Sequence, residues 1–78
     1  MSIAQTKPDF SNLSRNWPSP LLARDQVERF TGGTVTQKYI ANLDSRGLGP
    51  SGRVRIGRKV VYPVVEFISW LERRAEIL

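Results

Sequence analysis

Arg53-Val54-Arg55-Ile56-Gly57-Arg58-Lys59-Val60-Val61-Tyr62 is the stretch on which the fold turns. Its first four residues alternate polar and apolar, as a half-buried strand does. Gly57-Arg58 fits the two-residue hairpin turn that takes glycine at its first central position, and Lys59-Val60-Val61-Tyr62 returns as the second strand. A three-residue loop would place Val54, Ile56, Val60 and Tyr62 on one face more cleanly, so periodicity leaves the register open. In either register the tip carries Arg58 and Lys59.

Upstream of a loop rich in Gly and Pro (Gly47, Gly49, Pro50, Gly52), a helix is expected to start at Thr36. The Thr36 hydroxyl can cap the amides of the next turn, Ile40 and Leu43 point inward, and Gly47 closes the C-terminus. Arg24 to Thr31 reads as a shorter helix, with Val27 and Phe30 three apart, Asp25 and Glu28 early, and Gly32-Gly33 as its stop. Downstream, Pro63 suits a first helical position, and Val64, Phe67, Ile68, Leu71 and Ala75 follow the spacing of a helix with one buried stripe. Trp70 lies at the margin of that stripe and is expected to cover the core. Residues 1–20 hold Pro8, Pro18 and Pro20 among polar residues without sustained period, and read as a flexible N-terminal arm. Phe10, Leu13 and Trp17 form a spaced apolar set within it, able to dock on the domain or on a partner. The folded unit is then 21–78, mainly α with a small β-hairpin.

Charge is distributed unevenly. Thr36 to Tyr62 contains Lys38, Arg46, Arg53, Arg55, Arg58 and Lys59 against Asp44 alone, while the rest of the chain carries six basic and six acidic side chains. The whole net charge of +5 therefore sits on one helix and one ribbon. Such a footprint belongs to a surface facing a polyanion, with duplex DNA the leading candidate. With 78 residues there is little core for a buried catalytic cavity, and with no Cys and no His the usual zinc ligands, thiol nucleophiles and imidazole bases are missing. The remaining carboxylates, Asp9, Asp25, Glu28, Glu66, Glu72 and Glu76, are spaced as solvated helix-surface charges. An enzyme, a bound cofactor, a metal site and a small-molecule ligand are accordingly not expected. No apolar run approaches the roughly 20 residues of a membrane span, and no signal core follows Met1, so a cytoplasmic protein is expected.

On the helix beginning at Thr36, inward Ile40 and Leu43 turn Gln37, Lys38, Ala41, Asn42 and Ser45 outward. Gln37 and Asn42 have amides able to bond an adenine edge in two places, Lys38 can reach guanine or phosphate, and Ala41 and Ser45 permit close approach to a groove. Thr36, Tyr39 and Arg46 complete the candidate DNA-binding set on this helix. The hairpin supplies Arg53, Arg55, Arg58 and Lys59, suited to gripping the sugar-phosphate backbone or entering the minor groove. The blander reading of these charges is that they keep a sheet edge soluble.

Leu22-Ala23-Arg24-Asp25-Gln26-Val27, Val35-Thr36-Gln37-Lys38-Tyr39, Gly47, the run from Arg55 to Tyr62, and Phe67-Ile68-Ser69-Trp70-Leu71 together resemble the excisionase-like winged helix-turn-helix family, distant relatives of MerR-type DNA-binding domains. The resemblance covers about residues 21–72. The chain departs from the family pattern in its longer inter-helix turn at Gly32-Gly33-Thr34, in Ala23 where a capping hydroxyl is usual, and in Leu43 where an aromatic is common. The resemblance implies a winged helix-turn-helix whose second helix enters the major groove, with Gln37, Lys38 and Asn42 reading bases. Arg58 and Lys59 in the wing would grip the backbone. It also implies a recombination directionality factor of a prophage or integrative element, nucleoid-associated when bound in a bacterial cytoplasm. Such a factor would bend attachment-site DNA, acting with a tyrosine or serine integrase and with further copies of itself. Two alternatives stand beside it: a small helix-turn-helix transcriptional regulator, and a protein-interaction module with an acidic partner.

Overall fold

Leu22 and Tyr62 face each other on adjacent strands, and both are fully buried. They anchor a three-stranded antiparallel sheet in the computed structural model, which describes residues 7–78. The strands are β1 (Leu21–Ala23), β2 (Val54–Ile56) and β3 (Lys59–Pro63), in the order β1-β3-β2. Expectation had only the hairpin β2–β3. A three-residue strand is too short for alternation to reveal, and β1 exists because β3 offers it a free edge.

The hairpin closes through the two-residue turn Gly57-Arg58, pairing Ile56 with Lys59 and Val54 with Val61. Gly57 takes φ +62°, which its lack of a Cβ allows at the first central position of such a turn. Cross-strand partners share a face, so Val54 and Ile56 lie opposite Val60 and Tyr62. They are 49% and 54% exposed. The single apolar face that a three-residue loop would have made does not form.

Three α-helices surround the sheet: α1 (Val27–Phe30), α2 (Gln37–Ser45) and α3 (Val64–Arg74). The helix expected over Arg24 to Thr31 begins as a 3-10 turn at Arg24–Gln26 and becomes α-helical only at Val27. Thr36 caps α2 as expected, its Oγ1 accepting the Tyr39 amide at 3.1 Å. At the other end the Leu48 amide donates to the Leu43 carbonyl at 2.9 Å and the Gly47 amide to that of Asp44 at 3.1 Å, a Schellman closure. Between α1 and α2 the Thr31 hydroxyl accepts the Val35 amide at 3.1 Å and donates to the Val27 carbonyl at 2.9 Å, which holds the long Gly32-Gly33-Thr34 turn in shape. Pro63, expected as the first helical residue, instead ends β3 and stands as the N-cap of α3, so the helix begins one position later at Val64. The Val64 amide then donates to the Pro20 carbonyl at 2.8 Å.

Phe67 of α3 is fully buried at the centre of an aromatic cluster, with ring centroids 5.6 Å from Phe30, 5.9 Å from Tyr62 and 5.4 Å from Trp70. Trp70 is buried, and its indole N–H donates to the Leu48 carbonyl at 2.9 Å, tying α3 to the loop after α2.

The arm expected to be flexible is instead seated on the domain over its described part; residues 1–6 lie outside the described residues. Ser11–Asn16 form a 3-10 helix, and Phe10, Leu13 and Trp17 pack against the core. Trp17 meets Phe30 edge-on at 5.2 Å, and its indole N–H donates to the Leu21 carbonyl at 2.9 Å. Lys7 reaches the carbonyls of Arg73 and Ala75 at the end of α3, and the Phe10 amide donates to Glu72. The physical reason is area: a core this small leaves the edge of Phe30 uncovered, and three aromatics and aliphatics spaced by three and four residues can close it.

Candidate nucleic-acid interface

Ile40, Leu43 and Asp44 set the buried side of α2, which leaves Gln37, Lys38, Asn42, Ser45 and Arg46 exposed and Ala41 half-buried. Lys38, Ala41 and Asn42 fall along the middle of the outer face, since they lie three and four residues apart. Gln37 faces the side of the 3-10 turn, lining a shallow groove with Arg24 and Glu28. Ser45 turns its hydroxyl back to the Asn42 carbonyl at 2.7 Å. Tyr39 lies on the opposite flank, where its hydroxyl accepts from Arg74 at 3.1 Å, and Arg74 also sits 5.5 Å over the Trp70 ring. Among the residues expected on this face, Tyr39 therefore belongs to its α3 edge.

The cations of the hairpin divide into two groups. Arg55 on β2 and Arg58 in the turn are exposed and have no ion-pair partner among the described residues. Lys59 is paired with Asp25 of the 3-10 turn, and this contact holds the Asp25 carboxyl below its ordinary range. Arg53 lies just before β2, not in the hairpin, and its guanidinium points to Asp44, 3.4 Å from Oδ1 and 3.3 Å from the backbone carbonyl.

Asp44 is the residue that sequence reasoning passed over. Its side chain is 2% exposed, and Arg24 donates to Oδ2 at 2.7 Å. The Tyr62 hydroxyl donates to the same oxygen, and Arg24 Nε donates to that hydroxyl at 3.0 Å. Burial, reinforced by the hydrogen bond to Asp44, pushes the Tyr62 phenol up to about 12. Burial opposes the charge on Arg24, but its bonds to Tyr62 and Asp44 outweigh that and hold the guanidinium above its usual value. The signal was present: one acid in a basic stretch, two residues before Arg46 and turned inward one position after Leu43.

With Asp44 inside, the outer surface of Thr36 to Tyr62 presents no carboxylate. Lys38, Arg46, Arg55 and Arg58 remain exposed and unpaired among the described residues. The arrangement offers amides and a lysine on a helix face, and two free arginines on a ribbon. That chemistry can bond to phosphate oxygens and base edges. Among the described residues no cluster of three or more metal-ligating side chains forms, and no helix is long and apolar enough to cross a membrane. No family model, curated protein or solved structure matches this chain.

Proposed function

We propose that this chain is a sequence-specific duplex DNA-binding protein of winged helix-turn-helix type, with α2 in the major groove and the β2–β3 hairpin as a wing on the adjacent backbone or minor groove. The observation that carries the reading is the all-basic and amide-bearing outer surface of residues 36–62, whose one acid is buried and ion-paired. Gln37, Lys38 and Asn42 read bases; Arg46, Arg55 and Arg58 contact phosphates. Three cations neutralising phosphates release counterions on binding, so log K against log salt has an expected slope of about −2.7. Fluorescence anisotropy across a salt series measures it, and a slope near zero hands the surface to an acidic protein partner instead.

The role in the cell rests on the resemblance to excisionases. The chain bends attachment-site DNA as several neighbouring copies and steers an integrase toward excision, without catalysis of its own. Bending a 20–30 bp site by 40–90° costs on the order of 1–6 kcal/mol, which contacts from helix, wing and neighbouring copies together offset. An excision reaction with and without the protein, run beside gel shifts with the site centred and end-placed, decides between this role and a promoter-bound regulator. Equal excision in both reactions and equal migration of both probes would favour the regulator.

A further inference from the structure

Asp44 joins four parts of the fold at one carboxylate: its own helix α2, Arg24 of the 3-10 turn, Tyr62 of β3, and Arg53 at the entry to β2. Both α2 and β3 pack on the 3-10 turn, and the Asp44 side chain adds direct links from α2 to β3 and to the entry of β2. A Cβ on Gly49 would stand 1.8 Å from Asp44 Oδ1, so the loop after α2 is closed directly over the carboxylate.

The two carboxylate oxygens are not equally served. Oδ2 takes bonds from Arg24 and Tyr62, while Oδ1 is buried without a hydrogen bond and has Arg53, at 3.4 Å, as its ion-pair partner. Withdrawing Arg53 toward a phosphate would leave Oδ1, buried and without a hydrogen bond, with no cation beside it, so that Arg24 and Tyr62 on Oδ2 alone would serve the carboxylate. Arg55 and Arg58 have no such tie.

We propose that Asp44 is a positioning group that sets the angle between α2 and the β2–β3 hairpin, and that Arg53 serves this carboxylate and not a DNA phosphate. The assignment rests on the duplex-binding reading above and deepens it: the two DNA-facing surfaces are held in register by an ion-pair network centred on the buried Asp44 carboxylate between them.

The test compares salt slopes and specificity for the full chain and three variants, Arg53→Gln, Arg53→Lys and Arg58→Gln. The probes are a duplex selected from a random-sequence pool and a scrambled duplex. Loss of a phosphate contact lowers the slope by about 0.9, which is the result expected of Arg58→Gln. Arg53→Gln is expected to leave the slope unchanged and to lower the ratio of selected to scrambled affinity by about three- to tenfold. Arg53→Lys keeps a cation beside Oδ1 and restores that ratio. A slope for Arg53→Gln reduced as much as that of Arg58→Gln overturns the assignment while leaving duplex binding intact. So does an unchanged ratio. If the unaltered chain binds neither duplex, the duplex reading itself fails, and the assignment falls with it.

Discussion

Gly49 shows how one missing atom governs the site. Its position over Asp44 places an alanine methyl at 1.8 Å from Oδ1 and 2.9 Å from Cγ. Because the carboxylate is held by Arg24 and Tyr62, it cannot yield without losing bonds. Gly49→Ala is therefore expected to destabilise the fold by about 1–3 kcal/mol, as overpacking does, read as a fall in the chemical-denaturation midpoint. A midpoint equal to that of the parent chain would show that the loop can move aside. Tyr62 makes a second residue-scale prediction. Its phenol is raised from 10.0 to about 12, so the folded state holds a proton that the unfolded chain releases first. The sign follows from linkage: the contribution is complete below pH 10 and is lost as pH rises toward 12, by about 1–2 kcal/mol. Urea unfolding at intervals from pH 9 to 11.5 should show a steeper decline for the parent chain than for Tyr62→Phe. Parallel declines would mean that the phenol does not titrate with folding.

At the scale of elements, the proposed duplex binding divides the labour of recognition between α2 and the β2–β3 hairpin. Asn42 sits mid-face on α2 with an amide able to make paired bonds to a base edge, whereas Arg58 offers charge from an exposed turn. Asn42→Ala is expected to cost about 1–3 kcal/mol on a selected duplex and almost nothing on a scrambled one, measured by anisotropy on both. Equal losses on the two duplexes would make Asn42 a structural or backbone-contacting residue. The orientation of α2 was legible in part. Its cap at Thr36, its inward Ile40 and Leu43 and its stop at Gly47 follow from local chemistry, and the structure has all of them. The hairpin's existence was equally legible from Gly57-Arg58. Its register was not, because two loop lengths satisfied the alternation; the structure takes the two-residue turn, with Ile56 opposite Lys59.

For the whole molecule, the N-terminal segment changes the accounting of the core. Trp17, half-buried, stacks edge-on against Phe30, and Leu13 and Phe10 extend the same cover toward α3. Trp17→Ala is expected to lower stability by about 1–3 kcal/mol, and for a domain of this size that means a drop in Tm of roughly 4–24 °C. Thermal unfolding followed by circular dichroism checks it. An unchanged Tm would restore the reading of 1–20 as a free arm.

What the sequence determined by itself is whatever depends on neighbours along the chain. The caps, the glycine turn, the apolar stripe of α3 from Val64 through Leu71, and the concentration of charge in Thr36 to Tyr62 all belong to that class. Tertiary structure alone decided which cations remain free. Arg53 and Lys59 look like Arg55 and Arg58 in the sequence, yet the first two are spent on Asp44 and Asp25. It also decided that Leu21–Ala23 is a strand and that Phe10, Leu13 and Trp17 cover Phe30 and α3. The physical reason is the same in each case: an ion pair, a strand edge and an aromatic contact are made between residues far apart in the chain. Periodicity and local propensity carry no information about which distant group will arrive.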